Sequence, residues 1–109
     1  MTVSELSEKM GLETLVPGDP TRRVTGGYTG DLLSWVMARA NEGDAWITVM
    51  GSINSVAVAV LTEVACIILS EDSALDEDAR VRAEKEGIAI LRSSETAFRL
   101  AVELDRLLG

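Results

Sequence analysis

Apolar positions along the chain alternate between helical stripes and short unbroken runs, and that alternation sets the expected elements. Leu32, Leu33, Val36, Met37 and Ala40 recur at helical spacing, with Gly43 as the stop. Ala45 to Val49 reads as an extended strand. Gly51-Ser52 opens a helix from about Ile53 to Glu63, whose middle, Val56 to Leu61, is apolar all round and should be buried on most sides. Its valines compete with that reading, but alternation with alanine and the length favour a helix. Ala65 to Leu69 is a continuous apolar run of strand length. Asp76 caps a third, charged helix that ends at Lys85-Glu-Gly87, and Ile88 to Leu91 is a further strand. Ser94 caps the last helix, with Ala97, Ala101, Leu104 and Leu108 along one side.

Ahead of these, Thr2-Val-Ser-Glu5 has the spacing of a capping box: the threonine side chain satisfies one free N–H and Glu5 another. Leu6 and Met10 share a face, and Gly11 supplies a left-handed stop. Leu12 to Val16 reads as a short strand closed by the turn Pro17-Gly-Asp-Pro20. Arg22 to Thr25 reads as another, leading into a glycine loop, Gly26 to Gly30. From Asp31 onward the order is helix, strand, helix, strand, helix, strand, helix. Short connections between such elements imply parallel, right-handed crossovers. The expected architecture is one α/β domain over residues 1–109, an α/β/α sandwich with a mostly parallel sheet and Ala65 to Leu69 at its centre.

Composition narrows the chemistry. Hydrophobic residues make up 47% of the 109 residues but aromatics only 4%, so the core must be built from Val, Ile, Leu and Ala, as suits a buried parallel sheet. Ten basic against eighteen acidic residues give a net charge of -8, a poor match to nucleic acid or an anionic membrane. Cys66 is the sole cysteine and sits in an apolar run, which excludes an internal disulfide and points to a buried, reduced thiol. The absence of histidine excludes imidazole bases, His-containing triads and His metal sites. The longest apolar region, Val56 to Leu69, carries Thr62 and Glu63 and is too short to span a bilayer. The N-terminus is acidic and periodic rather than signal-like, so a cytoplasmic location is expected.

Two places invite a ligand. In Thr25-Gly-Gly-Tyr-Thr-Gly-Asp31 the last glycine is followed by Asp-Leu, not by the Lys-Ser/Thr of a phosphate-binding P-loop, and glycines at 26, 27 and 30 miss the dinucleotide pattern. Asp31 is expected to cap the following helix and to repel phosphate there. Gly51-Ser-Ile-Asn54 follows a strand and opens a helix, the usual ligand position in open α/β sheets, although Ser52 or Asn54 also serves as an ordinary cap. The expected ligand set is therefore Thr25, Gly26, Gly27, Gly30, Ser52 and Asn54. Asp72, Asp76, Glu77 and Asp78 lack calcium-loop spacing and read as a solvated helix start. Arg80, Arg82 and Lys85 are interleaved with Glu84 and Glu86, so no basic patch emerges. Residues 2–12 have the look of half a helix-turn-helix, but no basic recognition helix follows. Trp35 lies off its helix's stripe and, with Tyr28 and the glycine loop, suggests a subunit contact; packing under the N-terminal segment is the alternative. No nucleophile is paired with a base and no metal cluster forms, so no catalytic residue, metal or cofactor is expected.

Taken together, Val24-Thr-Gly-Gly-Tyr-Thr-Gly-Asp-Leu-Leu-Ser-Trp-Val-Met37, Glu42-Gly-Asp-Ala-Trp-Ile-Thr48 and Asn54-Ser-Val-Ala-Val-Ala59 resemble the DRTGG domain family. Ala65-Cys-Ile-Ile-Leu69 and Glu86-Gly-Ile-Ala-Ile-Leu-Arg92 fit the same order and spacing. The eponymous motif is partial: Arg23-Val-Thr-Gly-Gly27 keeps the threonine and glycines with a different lead-in. The resemblance implies a domain similar to the N-terminal domain of HPr kinase/phosphorylase, of a kind found fused to CBS-domain pyrophosphatases and phosphate acetyltransferases. It further implies a non-catalytic regulatory or interaction role, as a homodimer sensing a small ligand. The alternative is a nucleotide or phosphometabolite sensor using Gly26 to Gly30 and residues 52–54. Without a P-loop, resemblance to an HPr kinase carries no kinase activity with it.

Overall fold

Ten elements are seen in a computed structural model describing residues 1–109. In chain order they are α1 (Val3–Met10), β1 (Glu13–Val16), β2 (Gly26–Thr29), α2 (Leu33–Arg39), β3 (Asp44–Thr48), α3 (Ile53–Thr62), β4 (Cys66–Leu69), α4 (Glu77–Glu86), β5 (Ala89–Arg92) and α5 (Ala97–Leu108). The strands form one sheet in the order β1-β5-β4-β3-β2, parallel throughout except for β1, which runs antiparallel to β5. The apolar run around Cys66 is the central strand, as its lack of polar side chains requires.

Strand pleating divides the core into two layers. Trp46, Ile67, Leu69 and Ile90 face a layer with Val36 of α2, Val56 and Ala59 of α3, and Ala79 and Ala83 of α4. Ile47, Cys66, Ile68 and Leu91 face the opposite layer, with Leu6 of α1 and Leu100 and Leu104 of α5. The result is the expected α/β/α sandwich. The second layer has two helices over five strands, and this shortage leaves part of β2 uncovered.

Local signals account for most termini. The capping box forms: the Thr2 side chain accepts from the Glu5 N–H, and the Thr2 N–H donates to the Glu5 carboxylate, holding Glu5 below its ordinary value. Gly11 and Gly87 close α1 and α4 in the left-handed conformation. Other expectations need correction. Residues 22–25 form no strand beyond a single bridge between Thr2 and Arg23. Thr96, not Ser94, caps α5, its side chain accepting from the Arg99 N–H. Asp76 occupies the cap position of α4 without a side-chain bond. Of the stripe on α2, only Val36 is fully buried; Leu32 and Met37 are exposed, because α2 lies at the sheet's edge with a neighbour on one side.

Cys66 is buried and free, and burial pushes its thiol from 9.0 up to about 12. The folded state therefore keeps a proton that the unfolded chain loses above 9.0. Stability is unaffected by this group below that pH and falls as pH rises toward about 12, by something on the order of 4 kcal/mol. Urea titrations from neutral to alkaline pH should show the fall, and Cys66→Ala should lack that component. Thiol reagents at pH 8 should leave the native chain unlabelled.

Candidate functional site

The glycine stretch is a strand, not a loop. Gly26 to Thr29 pairs in parallel with Asp44 to Ile47, and none of Gly26, Gly27 or Gly30 has positive φ. Close approach explains the glycines instead. A Cβ on Gly26 would lie 2.6 Å from Asp44 Oδ1, and one on Gly27 would lie 2.5 Å from Leu104 Cδ2. Asp44 is buried and accepts from the Asn41 N–H at 2.7 Å, so its carboxylate is fixed beside Gly26. Thus Gly26 accommodates a buried carboxylate and Gly27 lets α5 settle on the sheet.

β2 is also the last strand of the sheet, so its outer side has no partner strand. On the α5 face it borders a cleft of about 410 Å³, lined by Thr25, Gly26 and Gly27 on one side and by Ala101, Asp105 and Leu108 on the other. The structure thus brings three of the six expected ligand residues together. Gly30 lies further along, in a second cleft of about 270 Å³ at the carboxyl ends of β2, β3 and β4. Thr29 and Ile47 line both clefts, so the two are neighbours along one uncovered strip. Ser52 and Asn54 line neither. Ser52 is the N-cap of α3, its side chain accepting from the Ser55 N–H at 3.4 Å, and Asn54 is exposed on the first turn.

Asp31 does not cap α2, whose N-cap is Leu32 with no side-chain bond. Its Oδ1 accepts from the Thr48 hydroxyl at 2.7 Å and from the Val49 N–H at 2.9 Å. The carboxylate therefore ties the end of β2 to the end of β3, where a backbone N–H leaves the ladder. Trp46 reinforces the same corner, its Nε1 donating to the Gly30 carbonyl at 2.9 Å.

Ser70, Glu71 and Ala97 complete the carboxyl-end cleft. Sequence reading passed over them because each is unremarkable in its local segment. The one available signal was position: Ser70 directly follows the central strand, where open α/β sheets place ligand groups. The side chain of Ser70 is fully buried and its Oγ has no hydrogen-bond partner.

Basic residues stay away from both clefts. Arg80 and Arg82 pair with Glu77 and Glu86 on α4, and Arg22 donates to the Glu63 carbonyl at 2.6 Å. Arg22 and Arg23 border a separate shallow hollow with Thr25, Glu42 and Gly43, at the opposite end of the sheet from Ser70. Trp35 is 52% exposed, with the Arg39 guanidinium stacked over its ring at 3.9 Å. Tyr28 is half-buried against the α2 layer. No helix is long and apolar enough to cross a membrane.

No family model and no curated protein matches the chain. Among solved structures, it is similar to the CBS and DRTGG domains of the regulatory region of Clostridium perfringens pyrophosphatase, determined with the activator diadenosine tetraphosphate. The TM-score is 0.72 over 94% of this chain at 13% identity, and the chain spans 45% of that neighbour. In fold, this chain is a DRTGG-like α/β domain.

Proposed function

We propose that residues 1–109 form a non-catalytic regulatory module of the cytoplasm, which holds a small ligand beside β2 and pairs with a second copy through that strand's free edge. The observation that carries this reading is that β2 is open twice, on its α5 face and along its lateral side. Thr25, Gly26 and Gly27 are the ligand contacts in the β2–α5 cleft, with Gly30 at its continuation. Tyr28 and Trp35 belong to the subunit contact, to which exposed Leu32, at the N-cap of α2, and Trp35 on α2 add apolar area, while the edge of β2 adds backbone groups ready to pair. Kinship in fold with a pyrophosphatase regulatory region supports regulation over catalysis.

A nucleotide or phosphometabolite is the second reading, favoured by the activator bound to that fold neighbour. Local charge favours it less: Asp105 lines the β2–α5 cleft and no Lys or Arg does. Ser52 and Asn54, the other proposed phosphate contacts, stand apart from it.

Sedimentation velocity tests the pairing. A dimer is expected at about 100 µM, with Trp35→Ala weakening it at least tenfold, as loss of a central aromatic does. A monomer at that concentration overturns the pairing. Thermal shifts with a panel of small metabolites, adenine nucleotides and sugar phosphates test the cleft. A saturating ligand should raise the midpoint, and Gly27→Val, which fills the cleft's floor, should abolish that response.

A further inference from the structure

Resting on the small-ligand reading above, we infer that the cleft at the carboxyl ends of β2, β3 and β4 binds a small zwitterion of the α-amino-acid class. Two opposite demands meet there. Asp31 spends Oδ1 on Thr48 and Val49, leaving Oδ2 free, and Glu71 lines the same cleft. No lysine or arginine lines it, so these carboxylates call for a cation.

The start of α5 calls for an anion. Arg99 N–H is taken by the Thr96 side chain and Leu100 N–H by the Thr96 carbonyl, while the N–H groups of Ala97 and Phe98 have no acceptor. Of these two, Ala97 lines the cleft, and Ser70 adds a side-chain donor beside it. It is fully buried, and its Oγ is the buried side-chain polar atom that finds no partner. Pleating of β4 sets Ser70 on the same side as Ile68, the α5 side, where Ile47 and Ala97 line the cleft. A buried hydroxyl without a partner is costly unless something absent from the free chain supplies one.

A ligand with one charge satisfies one half and opposes the other. A phosphorylated metabolite brings a charge of about -1.5 to -2 toward two carboxylates. A carboxylate held by Ser70 and the Ala97 N–H, with an ammonium turned to Asp31 and Glu71, satisfies both. The cleft's volume of about 270 Å³ accommodates a ligand of amino-acid size, and Ile47, Val49 and Ala97 suit a short aliphatic side chain.

The test is isothermal titration of the full chain with L-alanine, L-serine and L-valine, using propionate and propylamine as single-charge controls. Saturable binding of at least one amino acid is expected, with both controls at least about tenfold weaker. Ser70→Ala should weaken amino-acid binding about tenfold or more while leaving the free protein at least as heat-stable, since it removes an unpaired hydroxyl. Glu71→Gln should weaken the amino acid but not propionate. No binding of any amino acid up to about 10 mM overturns the assignment, as does equal binding of a control or indifference to Ser70→Ala. A chain that binds a phosphorylated metabolite and no amino acid overturns this assignment alone; one that binds neither overturns the small-ligand reading as well.

Discussion

Trp46→Ala should cost about 3–5 kcal/mol, the largest loss expected from any single truncation in this chain. Trp46 is the bulkiest fully buried side chain and belongs to the layer formed by α2, α3 and α4. The one ring beside it, Tyr28 directly across on β2, is held in the strand ladder, and the aliphatic walls of the core relax only in part. Domains of this size are held by roughly 5–15 kcal/mol, so a large share of the total would go. The same side chain also anchors the Gly30 carbonyl. Trp46→Phe should fill much of the volume but leave that carbonyl without its donor, for an intermediate loss. Urea denaturation read by far-UV circular dichroism orders the three proteins. Equal midpoints for wild type and Trp46→Ala would show that this residue is not central to the core.

Gly51→Ala is expected to reduce stability by roughly 1–3 kcal/mol, the usual cost of overpacking. The glycine looks like part of a ligand-binding helix start, but a Cβ there would run into the Ala74 carbonyl and lie 3.0 Å from Leu75 Cα. These obstacles are backbone, and the segment is further fixed by the Asp76 N–H donating to the Gly51 carbonyl at 2.8 Å. Gly27→Ala offers the contrast, because its new methyl meets only the rotatable end of Leu104, which can turn aside. Thermal melts of the two variants should separate them clearly, with Gly51→Ala the lower. A melt like the wild type's for Gly51→Ala would mean that the 74–76 segment yields easily and that close approach does not explain this glycine.

The two glycine segments show how far local pattern reaches. At Gly51 the strand before it and the helix after it were legible, because each has its own periodicity and cap. The collision that demands a glycine was not, since Ala74 comes from a distant turn. In the 26–30 stretch even the element type was misjudged. Glycine has low strand propensity, and only pairing with Asp44 to Ile47 makes that segment extended. Asp31 was misassigned for the same kind of reason. A carboxylate next to a helix start satisfies either a local N–H or a remote one, and Thr48 with Val49 won. On α2 the apolar stripe was real, but a stripe records only which residues share a face. It does not record whether a second helix arrives to cover it.

By itself, the sequence determined the order of helices and strands from Asp31 onward, their parallel arrangement, and the central, buried place of Cys66. These follow from interactions within a few residues and from the bulk need to bury Val, Ile, Leu and Ala. It also carried the resemblance to DRTGG domains that the fold bears out. Only the tertiary structure decided where the molecule is open. Two helices cover the second face of a five-stranded sheet, so α5 covers β2 only in part and begins beside Ser70. Exposure and unpaired polar groups depend on which remote segments fail to meet, and no local periodicity encodes a missing neighbour.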